Sequence, residues 1–330
     1  MRVAIIGAGA WGTAFSMHLA KRGLEPLLWV YEKDLYDIIQ REKINTYYLP
    51  SSVLPEKVQV TTNLDDIPAW ADDIVIATPS FALRHTISPI AERLINKRML
   101  ILTKGLEVES HLRMSEVVRD VVGTDHTIAV LSGPSFAKEV AERVFTSVVI
   151  ASRNKPLATY FQTMIHDEDF RVYTSEDITG VELGGAMKNV MAIGAGIIQG
   201  MRLGTNTQAA FVTRAIAEIK RLGKVLGARE VTFMGLSGIG DLILTAYGAL
   251  SRNHWFGIEL AKGIKPLDIL KSQKAVVEGY YTIKAAYTLS QHIHVDMPIT
   301  EELYKIVYED KDIQSSLMDI RKRSLKEEEE

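Results

Sequence analysis

The sequence predicts an α/β chain in which a doubly wound parallel sheet comes first and an all-helical domain follows. Three observations predict it. Short apolar runs alternate with amphipathic stretches through the first half, as in a parallel sheet flanked by helices. A glycine triplet separates the first apolar run from the first amphipathic stretch. After Tyr173 the strand-like runs thin out and apolar residues recur at helical spacing. A chain of 330 residues suits two domains. We place them at 1–178, for a dinucleotide, and 179–330, for a substrate. The boundary falls between about 174 and 182.

Val3–Gly7 reads as a buried strand. Trp11, Phe15 and Leu19 recur four apart on a helix, and Gly23 follows as its stop signal. Leu27–Val30 is a second strand and Val58–Thr61 a weaker third. Ile74–Ala77 and Met99–Leu102 are stronger candidates, with helical segments such as Phe81–Leu94 in the gaps. Thr127–Leu131, Ser147–Ile150 and Arg171–Tyr173 are further β-rich runs. Thr174, Ser175 and Asp177 can cap a helix start. The Gly- and Ala-rich stretch Gly184–Gly200 predicts a helix packed very closely against a neighbour. The charge run Lys326–Glu330 reads as a solvated end.

Charged residues make up 24% and hydrophobic ones 47% of the chain, as in globular proteins. Lys plus Arg is 38 and Asp plus Glu 41, a net charge of −3. That near-neutrality argues against a protein held on nucleic acid by a large positive field. It leaves room for a local basic pocket. With no cysteine, there is no disulfide framework, thiolate metal site or cysteine nucleophile, and a reducing, cytoplasmic location fits. We expect no integral membrane segment. The most apolar stretch, Val181–Ile198, carries Glu182, Lys188 and Asn189. His292 and His294 lack further ligands for a metal, so no metal site is expected. GxSxG, HExxH and P-loop patterns are absent.

Gly7-Ala8-Gly9-Ala10-Trp11-Gly12 follows the first strand and opens the first helix. Gly7 permits a tight turn, Gly9 lets backbone approach a pyrophosphate, and Gly12 lets helix and strand touch. The helix N-terminus adds N–H donors and a partial positive charge. This is the Rossmann-like phosphate loop. The second strand ends at Val30, Tyr31 and Glu32 follow it, and Glu32 lies 20 residues after Gly12, where a carboxylate accepts from an adenosine ribose. It would repel a 2′-phosphate, so NAD is favoured over NADP, although Lys33 is placed to offset the charge.

Two clusters carry candidate chemistry. Lys188 sits in a nearly uncharged helical stretch with Gly184, Gly185, Met191 and Ala192 as helix neighbours. A desolvated Lys has a lowered pKa and can transfer protons. The competing reading is a Lys whose stem packs while its head reaches water. Asp241 and Thr245 are four apart on one helix face, though Asp241 after Gly238-Ile239-Gly240 also suits an N-cap. Ser251-Arg252-Asn253 can hold a phosphate by a charge-assisted fork, or form an exposed turn. Lys104 and the Ser132–Phe136 turn follow strands, at the sheet end where ligands bind.

Taken together these segments resemble the NAD(P)-dependent glycerol-3-phosphate dehydrogenase family of bacterial type. The matching stretches run in order from GAGAWGTA through Asn45 with Tyr48-Leu49-Pro50, TKGLE at 103–107 and LSGPSFAKE at 131–139. FRVYTSED at 170–177, GGAMKNV at 184–190, GIGDL at 238–242, SRN at 251–253, VVEGY at 276–280 and MPITEE at 297–302 follow.

The resemblance implies reversible reduction of dihydroxyacetone phosphate to sn-glycerol 3-phosphate with NADH or NADPH, feeding glycerophospholipid synthesis. It makes Lys188 the general acid/base, Lys104 a substrate and cofactor contact that stabilises an alkoxide, and Asp241 and Thr245 neighbours of the ammonium group. Gly133, Ser135, Ser251, Arg252 and Asn253 would contact substrate. Gly7, Gly9, Ala10, Trp11, Gly12, Tyr31, Glu32, Lys104, Ala137, Arg252, Val276 and Glu278 would contact cofactor. Departures stand at Ala10, often Ser in the family, at His254-Trp255, where a second Arg is frequent, and at Ala246, often Cys. A β-hydroxyacid-type dehydrogenase also pairs such a domain with a helical Lys, but needs an Arg for a carboxylate. A cofactor-binding sensor would need no proton donor. A homodimer stays open.

Overall fold

The computed structural model describes every residue except 124–126, 326 and 329–330. The charge run at the C-terminus therefore lies partly outside the described residues. The strands are β1 (Arg2–Ile6), β2 (Glu25–Trp29), β3 (Ile44–Asn45), β4 (Leu49–Val53), β5 (Gln59–Thr61), β6 (Asp73–Ile76), β7 (Arg98–Ile101), β8 (Ile128–Ser132), β9 (Thr146–Ala151) and β10 (Phe170–Ser175). Among the described residues, eight form one sheet in the order β10-β9-β8-β7-β6-β1-β2-β5. β3 and β4 pair separately, antiparallel.

Alternation explains the burial. Val3 and Ile5 of β1 face one apolar layer, Ala4 and Ile6 the other, and all four are fully buried. Each large aliphatic side chain so covered contributes roughly 2 kcal/mol. β2 and β6 lie on either side of β1, in register at Ile6 with Trp29 and with Ile76. The strand order therefore reverses beside β1, and the carboxyl ends of β1 and β6 border a crevice of the kind that binds nucleotides.

The N-terminal half is thus a Rossmann-like sheet domain and the C-terminal half is helical, with helix Ile178–Gly200 at its centre. This helix is buried from Ile178 to Ile198. Its glycines have the expected cause. A Cβ on Gly196 would lie 2.0 Å from the His254 carbonyl oxygen, and one on Gly257 would lie 2.0 Å from that of Ile193. Helix Arg252–Ala261 therefore rides backbone to backbone on the central helix. The central helix is long and apolar enough to cross a membrane, but 94% of its apolar window is buried inside the protein.

The two halves are stitched by charge. Glu182, on the central helix, accepts from Ser115 N at 2.7 Å, Ser115 Oγ at 2.6 Å and Arg113 Nη1 at 2.7 Å. It thereby caps helix Met114–Val122 from across the boundary.

Two expectations change, and one element was not foreseen. Phe81–Leu94 is not one helix; it breaks into short pieces on either side of Ser88–Ile90, because Pro89 cannot continue the hydrogen-bond ladder. The sheet is not wholly parallel. The link after β8 carries only the short helix Ala137–Ala141, and β9 returns antiparallel to β8. The β3–β4 hairpin has no alternating apolar signal, since its order comes from Asn45, described below.

Candidate active site

The glycine loop sits where β1 meets the crevice. Gly7 has φ +112°, and a Cβ there would lie 2.8 Å from the Ala77 carbonyl oxygen after β6, so only glycine fits. A Cβ on Gly9 would meet nothing within 4 Å, which leaves open room where a phosphate approaches. A Cβ on Gly12 would lie 2.0 Å from the Gly7 carbonyl oxygen. Ala10 begins helix Ala10–Lys21 with Gly9 as N-cap, so the first turn presents its orphan N–H groups to this room. Trp11 Nε1 and Thr78 Oγ1, also at this crevice, are buried without hydrogen-bond partners among the described residues. Buried donors without partners are uncommon, and a dinucleotide lying along the loop would fit this donor set.

Across the cleft, the central helix and the Gly238–Thr245 segment bring three charges together. Lys188 Nζ donates to Asp241 Oδ1 at 2.5 Å, and Lys104 Nζ donates to Asp241 Oδ2 at 2.7 Å. Lys104 Nζ also reaches the Gly133 carbonyl at 3.2 Å. Asp241 is completely buried; Lys188 and Lys104 are nearly so. The snorkelling alternative for Lys188 is thereby excluded. Asp241 does not cap its helix, Asp241–Tyr247; its carboxylate is shared by two ammonium groups. Thr245 Oγ1 donates to the Asp241 carbonyl at 2.7 Å, which fixes the first turn that carries the carboxylate.

The cluster holds two positive charges against one negative. Burial pushes the Lys188 ammonium down to about 7; Asp241 opposes that shift and Lys104 reinforces it. Burial also pushes Asp241 up, but the two lysines outweigh it and hold the carboxyl below its ordinary range. An amine so placed can exchange a proton near neutrality with a second cation beside it.

The remaining expected residues fall around these two centres. Gly133, with φ +132°, and Ser135, whose Oγ donates to the Gly133 carbonyl at 2.9 Å, form the turn under Lys104. Ala137 begins the helix that follows. Ser251 caps helix Arg252–Ala261 through His254 N at 3.2 Å, so SRN is a helix start. Arg252 is solvent-reachable at one end, while the protein packed around it pushes its guanidinium below the ordinary range and the Glu278 carboxylate opposes that shift. Asn253 is buried, with Nδ2 donating to Asn189 Oδ1 and Oδ1 accepting from Gly279 N, both at 2.8 Å. Both ends of its amide are engaged in joining three segments. Val276 lies in the loop before helix Glu278–His292. Glu278 Oε2 accepts from Ser80 Oγ at 2.5 Å, a tie from the helical half to the end of β6. Tyr31 is largely exposed, edge-on to Trp29.

Sequence reasoning gave no role to Ser80 or Glu182 and named Ser132 only as part of the Ser132–Phe136 turn. Ser132 is buried, with Oγ 3.5 Å from Asp241 Oδ2. A single hydroxyl such as that of Ser80 carries no sequence pattern, and Glu182 showed only as a charge within an apolar helical stretch.

Comparison with known proteins now bears on this geometry. The chain matches the family models for the N-terminus of NAD-dependent glycerol-3-phosphate dehydrogenase over residues 2–158 and for its C-terminus over residues 177–318. The chain belongs to the NAD-dependent glycerol-3-phosphate dehydrogenase family. A relative from Enterococcus faecalis, named glycerol-3-phosphate dehydrogenase (NAD(P)+), is 42% identical over 332 residues, covering 100% of this chain and 98% of that one. A second, from Syntrophotalea carbinolica and bearing the same name, is 42% identical over 99% of each chain. The solved glycerol-3-phosphate dehydrogenase of Coxiella burnetii superposes with a TM-score of 0.93 at 37% identity, over 98% of this chain and 99% of that one. A D-mandelate dehydrogenase matches at 15% identity with a TM-score of 0.65 and shares the fold alone.

Proposed function

We propose that this dehydrogenase reversibly reduces dihydroxyacetone phosphate to sn-glycerol 3-phosphate at the cleft between the glycine loop and the lysine cluster. The observation that carries the reading is the buried Lys188–Asp241–Lys104 triad. Dividing the chain at 178/179 puts the phosphate loop on one side and Lys188 and Asp241 on the other.

The bound nicotinamide supplies the hydride in reduction and accepts it in oxidation. Everything else falls to this chain. The Lys188 ammonium donates a proton to the C2 carbonyl oxygen during reduction, and its neutral amine takes that proton back during oxidation. Lys104 reaches the same oxygen with its side-chain nitrogen, in surroundings where such a donor counts for more than in water. Asp241 holds both ammonium groups in register and moderates the loss of charge from Lys188. Arg252 takes the phosphate, with Asn253 fixing the helix start that presents it. Gly133, Ser135 and Thr245 shape the floor. Gly7, Gly9, Ala10, Trp11 and Gly12 hold the pyrophosphate, while Ala137, Val276 and Glu278 line the cofactor's path. Tyr31 and Glu32 face the adenosine ribose, and the Glu32 carboxylate favours NADH over NADPH.

The product is a glycerolipid backbone, so the reading places the enzyme at the head of glycerophospholipid synthesis in the cytoplasm. The test is oxidation of NADH by dihydroxyacetone phosphate, repeated with NADPH and with a panel of hydroxy acids. Turnover with the phosphorylated ketone alone is expected. Turnover with a hydroxy acid alone would overturn the substrate assignment.

A further inference from the structure

The β3–β4 hairpin carries an inference that rests on the ribose role given to Glu32 above. Three residues of one turn tie separate parts of the nucleotide site together. Asn45 is fully buried. Its Nδ2 donates to the Ala8 carbonyl inside the glycine loop and to Thr13 Oγ1 on the first helix, both at 2.8 Å. Its Oδ1 accepts from Tyr48 N at 3.0 Å. The Tyr48 hydroxyl then donates to Glu32 Oε1 at 2.6 Å. The adjacent Tyr47 hydroxyl bonds the Asp34 carboxylate two residues further on, and Lys274 lies over the Tyr47 ring at 3.3 Å.

A carboxylate that reads a ribose must be aimed as well as present. Glu32 lies at the N-cap position of helix Lys33–Glu42 but makes no capping bond with its side chain, so its own helix does not orient it. Tyr48 does, through one of the two carboxylate oxygens, and leaves Oε2 for a vicinal diol. A 2′-phosphate placed there would meet a carboxylate that cannot swing away, because Tyr48 is anchored through Asn45 to the phosphate loop. We infer that Tyr48 is a specificity-determining positioning residue: it fixes the Glu32 carboxylate against the adenosine ribose and so sets the discrimination between a free 2′-hydroxyl and a 2′-phosphate.

The experiment compares kcat/KM for NADH and NADPH in the full-length enzyme and in Tyr48→Phe, Glu32→Gln and the double variant. Tyr48→Phe keeps the ring and removes only the hydroxyl. It should lower the NADH-to-NADPH ratio by about tenfold, the scale of one hydrogen bond to a charged group, with kcat for the preferred cofactor nearly unchanged. The double variant should fall no further than Glu32→Gln alone, since the hydroxyl acts through the carboxylate. A merely structural role would raise KM for both cofactors alike and leave the ratio in place. If Glu32→Gln shifts the ratio while Tyr48→Phe does not, the inference is overturned and the ribose role of Glu32 stands. If neither shifts it, the ribose role itself fails and takes the inference with it.

Discussion

Two carboxylates in the helical half are equally hidden and behave in opposite ways. Asp241 is fully buried between two lysines. Glu218 is 2% exposed and accepts from Ile299 N at 2.8 Å, Thr300 N at 2.9 Å and Thr300 Oγ1 at 2.7 Å, capping helix Pro298–Tyr308. Burial pushes Glu218 up to about 6, because backbone and hydroxyl donors offset only part of the desolvation. Asp241 stays below its ordinary range because the ammonium groups more than offset the same penalty. A buried acid that only holds structure is satisfied by dipoles. Asp241, which we propose serves the chemistry, is surrounded by more cation than it can neutralise, and that surplus suits an anionic oxygen.

Substitutions should break that contrast unevenly. Lys188→Ala removes the proton donor and should cut kcat for dihydroxyacetone phosphate reduction by about 10³-fold, with NADH affinity, read by fluorescence titration, little altered. Asp241→Asn leaves two ammonium groups sharing a neutral amide; steady-state kcat should fall about 10²-fold, with some loss of stability. Arg252→Ala should spare the donor and raise KM for the phosphorylated substrate about tenfold or more, seen in initial rates. Glu218→Gln should leave kcat unchanged. It should lower unfolding stability in urea by about 1–3 kcal/mol, because the amide turns a donor toward one of the backbone N–H groups now satisfied.

The same contrast explains what was legible beforehand. The nucleotide loop was readable because its physics is local: Gly7 and Gly12 each answer a backbone requirement, and Gly9 between them leaves open room for a phosphate, all within six residues. The strands β1, β2, β6 and β7 were readable because each buries both faces and shows as an apolar run. The lysine cluster was not readable from pattern. Lys104, Lys188 and Asp241 come from a strand end, mid-helix and a helix start, and only the family resemblance named them together. From its own segment Lys188 was as well explained by a side chain reaching water. The hairpin at β3–β4 and the Glu182 cap escaped because polar side chains reaching across sequence impose no period. Phe81–Leu94 misled because its apolar spacing is helical while Pro89 forbids continuity.

The central claim is that Lys188 supplies the proton and that its two charged neighbours tune it. The pH dependence of the single-turnover reduction rate tests this most directly. Only the protonated amine can donate, so the rate should be full below about pH 7 and fall as pH rises through it. Asp241 raises the Lys188 pKa and Lys104 lowers it, so Asp241→Asn should move the limb to lower pH and Lys104→Gln should move it higher. A rate flat from about pH 6 to 9, or a limb that both variants leave in place, would contradict the account.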